Sequence, residues 1–121
     1  MNLYALIVED NVDLRSIFSE AFQDAGFEVT SVSTGGAALK KLALYSPDVI
    51  ILDVGLPDMS GLDVLRQIRR QNVDTKVIIV SAHSHADNTP DANLADLFLH
   101  KPISIHSLIQ LAQRLHTRTV A

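Results

Sequence analysis

The chain has 121 residues and a mass of 13.2 kDa, which is the size of one ordinary domain. Its 47% hydrophobic content excludes disorder as the default state, and the lack of cysteine excludes disulfide-stapled scaffolds and cysteine-ligated metal centres. A formal charge of −4 argues against direct binding of nucleic acid. The apolar runs are far shorter than the roughly 20 residues of a membrane helix, and residues 1–4 lack the basic start of a signal peptide, so we expect a cytoplasmic protein and no membrane contact.

The first elements are a strand, a helix and a second strand. Residues 4–8 form a short apolar run, which predicts a strand buried on both faces. A helix follows and ends at Gly26, with a stripe of residues that we expect to be core: Leu14, Ile17, Phe18, Ala21, Phe22 and Ala25. Residues 28–32 alternate between polar and apolar side chains, which predicts a strand near the edge of a sheet.

The same alternation of strands and helices continues to the end of the chain. Three more apolar runs predict buried strands at residues 49–52, 77–80 and 97–99. We expect Ser33 or Thr34 to cap the second helix, Ser60 the third and Ser104 the last. On that last helix Leu111 falls off the apolar stripe, which predicts an exposed contact.

Five strands that alternate with helices predict an α/β fold with a doubly wound, five-stranded parallel sheet and helices on both faces. Ligands of such sheets bind beyond the carboxyl ends of the strands. The residues that follow the strands there are Glu9 and Asp10 after the first, Asp53 after the third, Ser81 after the fourth and Lys101 after the fifth. In the strand order 2-1-3-4-5, the first and third strands would be neighbours.

These residue types suit a metal ion and a phosphoryl group. Three crowded carboxylates repel one another unless a cation offsets them, and hard oxygen ligands without cysteine favour Mg²⁺ or Mn²⁺. Lys101 would supply a cation for a second anionic oxygen, and the Ser81 hydroxyl would donate to a third.

With these residues in place, the chain resembles a receiver domain of a two-component response regulator, of the single-domain, chemotaxis-regulator-like kind. The resemblance covers nearly the whole length of the chain, and we expect residues 1–121 to form one receiver domain. Its matching positions are Glu9 and Asp10, the segment from Asp53 to Gly61, Ser81 and Ala82, Phe98, and Lys101 with Pro102. It implies a flavodoxin-like fold with strand order 2-1-3-4-5. It also implies that a histidine kinase or a histidine-phosphotransfer protein phosphorylates Asp53 to operate a signalling switch.

The resemblance also implies a role for each matching position. Asp53 would be the nucleophile and would bind Mg²⁺ together with Asp10 and the Gly55 carbonyl, with Glu9 acting through a water molecule. Lys101 and Ser81 would contact the phosphoryl group. The remaining roles are Ser81 and Phe98 as a conformational switch, His83 as a modulator of dephosphorylation, Pro57 and Gly61 as loop-shaping residues, and a cis bond before Pro102.

Two other functions stay open at this point. A Mg²⁺-dependent phosphohydrolase could form the same aspartyl phosphate, although such enzymes commonly carry a second Asp where this chain has Gly55. A binding module that keeps the fold without the chemistry is the other alternative. The output protein is not identified by the sequence.

Three further features have ordinary structural explanations or depart from the family pattern. His83, His85 and Asp87 contain metal-ligand types, but a solvated loop is the better interpretation. The basic cluster Arg66, Arg69 and Arg70 on the third helix is interpreted as a solvated face. Asn88, Thr89 and Pro90 interrupt the fourth helix of the family pattern, and Leu94 replaces a frequent Gly, so a short or shifted helix and an unusual output face are expected.

Overall fold

The computed structural model describes residues 2–71, 74–82 and 90–120. Within these residues, five strands and four α-helices alternate along the chain, with one short 3₁₀ helix before the last strand. The elements are β1 (Leu3–Val8), α1 (Val12–Asp24), β2 (Phe27–Val32), α2 (Gly35–Leu42), β3 (Val49–Leu52), α3 (Gly61–Arg70), β4 (Lys76–Ser81), the 3₁₀ helix (Pro90–Leu94), β5 (Leu97–His100) and α4 (Ile105–Val120). No helix in the described part of the chain has the length and apolar character needed to cross a membrane.

The strands form one parallel sheet in the order β2-β1-β3-β4-β5, which confirms the predicted fold class and strand order. β1 is therefore an interior strand, which pairs with β2 on one side and with β3, the central strand, on the other. The β1–β3 register sets Val8 opposite Leu52, so the residues that follow these two strands leave the sheet at the same level. β2 lies at the edge and is only partly buried, as its alternating sequence predicts.

Alternate strand residues face two separate cores, one on each side of the sheet. One core packs α1 and α4 against the sheet and contains Ala5, Ile7, Phe18, Phe22, Ile51, Ile78, Leu108 and Ala112. The other packs α2 and α3 against the opposite face and contains Leu6, Val8, Ala38, Ile50, Val64, Leu65, Ile68 and Ile79. Helices thus cover both faces, as expected for a doubly wound sheet.

Polar side chains and one glycine define the helix ends. Thr34, not Ser33, caps α2, and its side chain accepts a hydrogen bond from the Ala37 N–H. Ser60 caps α3 within a reciprocal capping box. The Ser107 N–H donates to Ser104 at the start of α4. Gly26 follows α1 with φ +99, a left-handed conformation that glycine adopts readily, so the predicted end of this helix is confirmed.

Two expectations about burial were wrong. Ile17 was expected in the core but is 49% exposed, because α1 buries only Phe18 and Phe22 fully and Ile17 lies at the margin of its apolar stripe. Leu111 was expected to be exposed but is half-buried. Helical periodicity shows which side of a helix is apolar, but the depth to which the sheet covers that side depends on tertiary packing.

The basic residues of α3 are only in part a solvated face. Arg70 is exposed, as expected, whereas Arg69 donates to the Leu94 carbonyl at 2.8 Å and to Asp96 Oδ2 at 3.0 Å. Arg66 likewise donates to Asp91 Oδ2 at 3.2 Å. The interpretation as a solvated face was therefore wrong for Arg69, whose side chain is only 24% exposed because it reaches the segment that precedes β5. Arg66 pairs with Asp91 while 42% of its side chain stays exposed.

The connection between β4 and β5 contains the 3₁₀ helix, Pro90–Leu94, packed against α3. Pro90 is its first residue, a position at which the missing N–H of proline costs no helical hydrogen bond. Residues 83–89 lie outside the described residues, and so do the candidate metal ligands His83, His85 and Asp87.

Candidate functional site

The acidic residues after β1 and β3 meet because the backbone continues the sheet pairing just beyond each strand. The Glu9 N–H donates to the Val32 carbonyl of β2 at 3.1 Å, and the Asp53 N–H donates to the Val8 carbonyl of β1 at 3.0 Å. Both residues therefore remain attached to the carboxyl edge of the sheet. This is the edge at which parallel α/β sheets bind their ligands.

Three carboxylates form a cluster at this edge. Glu9 and Asp53 are buried, with 2% and 7% exposure, and Asp10 is exposed. One carboxylate oxygen of each residue lies within 4.8 Å of the corresponding oxygens of the other two. An oxygen-only donor set with one side open to solvent fits a hard divalent cation such as Mg²⁺, which keeps water molecules among its ligands.

Lys101 reaches the same cluster from the end of β5. Its Nζ atom lies 2.7 Å from Glu9 Oε1 and 3.6 Å from Asp53 Oδ2, and only 19% of its side chain is exposed. The Lys101 N–H donates to the Ser81 carbonyl at 2.8 Å, which fixes the start of this segment on β4. The bond from Lys101 to Pro102 is cis, as the resemblance implies. One ammonium group therefore contacts two of the three carboxylates.

The loop after β3 folds back tightly beside Asp53. The Gly55 N–H lies 3.3 Å from Asp53 Oδ1, and Gly55 also forms an isolated bridge with Ser60. Gly61 lies so close to the loop that a Cβ there would be 2.1 Å from the Asp53 carbonyl oxygen. Only glycine can lie this close to the Asp53 backbone, because any side chain would clash with it. This is a steric reason for the loop-shaping role predicted for Gly61. Pro57 is exposed within the same loop.

Ser81 and Phe98 lie on the two strands farthest from β2. Ser81 is the last residue of β4 and is completely buried. Phe98 is half-buried on β5 and packs against the core formed with α2 and α3. Its ring centroid is 5.5 Å from that of His100. Their roles as a switch stay predictions, and His83 lies outside the described residues.

Sequence reasoning assigned no role to three residues that support the site. Arg15 Nη1 donates to the Glu9 carbonyl at 3.0 Å, and the Asn11 N–H lies 3.3 Å from Glu9 Oε2. Asp58 accepts the N–H groups of Gly36 and Gly35, and these hydrogen bonds lower the pKa of its carboxyl group below the ordinary value of 3.8. A glycine pair at the start of a helix could have indicated such a close approach.

Comparisons with known proteins identify the relatives of the chain. The model of the family described as "Response regulator receiver domain" matches residues 5–113. The probable transcriptional regulatory protein TcrX of Mycobacterium tuberculosis is 34% identical over 94% of this chain and 50% of its own length. The chain thus spans half of that relative, and it covers 24% of the DNA-binding transcriptional regulator NtrC of Escherichia coli.

Two solved structures are similar over nearly their whole length. The receiver domain of Francisella response regulator 1452 is 31% identical with a TM-score of 0.90, covering 98% of this chain and 99% of that one. The response regulator protein TrrA from Thermotoga maritima, solved in complex with Mg(2+)-BeF, is 31% identical with a TM-score of 0.87, covering 93% of this chain and 98% of that one.

Proposed function

The chain belongs to the response regulator receiver domains of two-component systems, and from this membership we propose that it is a cytoplasmic phosphoacceptor switch in which Asp53 accepts a phosphoryl group. The observation that carries the proposal is the position of Lys101 Nζ between Glu9 and Asp53, beside the three clustered carboxylates. A buried carboxylate with an ammonium group next to it is arranged to receive a group that brings further negative charge.

Asp53 would act as the nucleophile. One of its carboxylate oxygens would attack the phosphorus of a phosphohistidine in line, and the imidazole would leave from the opposite side. A carboxylate is a weak nucleophile, so most of the rate must come from positioning and from neutralisation of charge. Gly61 and the loop beside it hold the Asp53 backbone in place, and Lys101 would offset the charge of the phosphoryl oxygens.

Asp10, Asp53 and the Gly55 carbonyl would hold Mg²⁺, with Glu9 acting through a water molecule. The ion, when bound, would add positive charge at the phosphoryl oxygens and offset the repulsion between the carboxylates. The structure of TrrA with Mg(2+)-BeF supports the choice of Mg²⁺.

The switch would follow from the new acceptor oxygens. The Ser81 hydroxyl would donate to one phosphoryl oxygen, and Phe98, which is half-buried, would move into the space that this shift opens. The phosphoryl donor would be a histidine kinase or a histidine-phosphotransfer protein. The partner on the output side would bind one of the two arrangements more tightly.

Intact-mass spectrometry after incubation with Mg²⁺ and acetyl phosphate tests this function. We expect one phosphoryl adduct on the wild-type chain, none in Asp53→Asn and none when a chelator removes Mg²⁺. Asp48→Asn is the matched control, because Asp48 accepts the Tyr4 N–H at the opposite end of the sheet. Multiple turnover of phosphomonoesters would indicate the hydrolase instead, and a chain that gains no adduct would be a binding module without the chemistry.

A further inference from the structure

The loop that follows Asp53 is attached to a second helix on its outer side. Asp58 lies at the tip of this loop, and its two carboxylate oxygens accept the first two N–H groups of α2. The distances are 2.9 Å from the Gly35 N–H to Oδ1 and 2.8 Å from the Gly36 N–H to Oδ2. Bonds of this kind to a carboxylate at a helix start are charge-assisted, because the N-terminal end of a helix carries partial positive charge.

Asp58 completes the hydrogen bonding of the start of α2. The first N–H groups of a helix have no partner inside it. In α2 the Thr34 side chain accepts the Ala37 N–H at 3.0 Å, and the Ala38 N–H begins the helical ladder on the Thr34 carbonyl. The remaining two N–H groups are those that Asp58 accepts. The Asp58 carboxylate therefore joins the loop to α2 and satisfies two N–H groups that have no partner within the helix.

Gly35 and Gly36 leave space for the junction, which is the contact between Asp58 and the start of α2. A Cβ at Gly35 would lie 2.5 Å from Met59 Cγ, and a Cβ at Gly36 would lie 3.2 Å from Asp58 Oδ2. Glycine is a poor helix former, so two glycines in succession weaken the start of α2 locally. Close contact with Asp58 and Met59 is the structural reason for their presence.

The junction has a direct connection to the candidate site. Asp58 is three residues beyond Gly55, and the bridge from Gly55 to Ser60 closes the loop between them. The capping box at Ser60 attaches the far end of the loop to α3. Asp58 supplies the attachment on the side of α2, so the loop is held from two helices at once.

We propose that Asp58 is a positioning residue that holds the Gly55 carbonyl where a divalent cation needs it, through its paired hydrogen bonds to the start of α2. The proposal rests on the proposed function, in which this carbonyl is a Mg²⁺ ligand. A loop held in place before the ion arrives loses less freedom on binding, and this raises the affinity for the ion.

Titration calorimetry of the metal-free chain with MgCl₂ tests the proposal. Asp58→Asn keeps the shape but replaces one acceptor oxygen by a donor group, which would face an N–H. We expect its dissociation constant for Mg²⁺ to rise about 3- to 10-fold, less than the 10- to 100-fold typical of groups that directly support a metal ligand. Asp48→Asn also removes a carboxylate that accepts a backbone N–H, and it should leave the constant unchanged.

A second measurement tests, in the absence of metal, whether the substitution changes the environment of Gly55. In the ¹H–¹⁵N spectrum of metal-free Asp58→Asn, the Gly55 signal should shift together with those of Gly35 and Gly36. The chain has only 5 glycines, so these signals are readily assigned. Gly35→Ala disturbs the same contact from the side of α2, because the new methyl group would displace Met59. It should also raise the dissociation constant for Mg²⁺.

The outcomes separate this proposal from the proposed function. An unchanged Mg²⁺ constant in Asp58→Asn, or an equal rise in Asp48→Asn, would overturn the positioning role while phosphorylation of the wild-type chain still supported the function. A wild-type chain that binds Mg²⁺ but accepts no phosphoryl group would overturn the function alone, because the constants would still decide the role of Asp58. A wild-type chain that binds no Mg²⁺ would overturn both.

Discussion

Lys101 is the residue on which the charge balance of the site depends. Its ammonium group contacts Glu9, a carboxylate with 2% exposure, and lies beside Asp53. A buried charge that loses its partner is strongly destabilising, whereas an exposed ion pair contributes little. The sequence predicted the convergence of these groups from the ends of three strands. It did not predict that Lys101 lies nearer to Glu9 than to Asp53, because the path of a long side chain depends on the packed neighbours.

We expect Lys101→Met to lower the free energy of unfolding by about 2 kcal/mol without Mg²⁺, less than the 3–5 kcal/mol of a fully buried pair because this lysine is partly exposed. The cause is the Glu9 carboxylate, which would stay buried without its ammonium partner. Urea unfolding in a buffer with a chelator measures the change. Lys41→Met, on the exposed side of α2, is the control and should change stability by less than about 0.5 kcal/mol. Equal stability of Lys101→Met and the wild-type chain would show that the pair is not needed.

Gly61 offers a second test at a single residue. A Cβ there would lie 2.1 Å from the Asp53 carbonyl oxygen, so Gly61→Ala must displace the backbone of Asp53, the proposed nucleophile. We expect Gly61→Ala to lower the free energy of unfolding by about 2 kcal/mol, as is typical when an extra methyl group is forced into a packed region. The rate of phosphorylation by acetyl phosphate should fall about tenfold or more, since misplacement by an ångström costs up to a hundredfold.

Gly26→Ala separates the two effects of Gly61→Ala. Gly26 has φ +99, and a Cβ at this residue would meet no atom within 4 Å, so alanine there introduces backbone strain of about 1–2 kcal/mol far from Asp53. This variant should be destabilised and yet be phosphorylated at the wild-type rate. A comparable loss of rate in both variants would mean that stability, and not the position of Asp53, limits the reaction.

At the scale of elements, the sequence predicted the strands and the helix starts but missed the side-chain contacts that join separate elements. Four apolar runs and one alternating segment placed the five strands, and capping residues placed the starts of α2, α3 and α4, because these signals are local. The contact of Asp58 with Gly36 joins residues 22 positions apart, and the bond of Arg69 to Asp96 joins residues 27 apart. Contacts of that kind require the folded arrangement of helices and loops. They cannot be inferred from periodicity.

The junction between Asp58 and α2 makes stability depend on pH. Hydrogen bonds from Gly36 and then Gly35 lower the pKa of Asp58 below its ordinary value of 3.8. A carboxyl group whose pKa is lower in the folded state contributes stability above the unfolded value and loses it as pH falls through the folded one. The stability difference between the wild-type chain and Asp58→Asn should therefore be constant near neutral pH and shrink below about pH 4.

Urea unfolding of both chains at neutral pH and at about pH 3 measures this difference, and the comparison cancels the titration of all other carboxylates. A difference that stays the same at both pH values would contradict the assignment of the lowered pKa to these hydrogen bonds. A difference that grows on acidification would contradict its sign.

At the scale of the whole molecule, the topology explains why the site is where it is. The strand order makes β1 and β3 neighbours although α1, β2 and α2 separate them in sequence, and the two strands end at the same level. Glu9, Asp10 and Asp53 therefore meet at the point where the order of strands reverses, the usual ligand site of such sheets. This part of the site was predictable, because strand ends are visible in the sequence and the fold class fixes which edge they share.

The central claim is that Asp53, and no other carboxylate of the cluster, accepts the phosphoryl group. The most direct measurement is to phosphorylate the chain with acetyl phosphate and Mg²⁺, reduce the acyl phosphate with borohydride, and locate the reduced residue by peptide mass spectrometry. The account predicts reduction at Asp53 alone, where the aspartyl side chain becomes that of homoserine. Reduction at Asp10 or Glu9, or a phosphorylated chain in which Asp53 is intact, would contradict it.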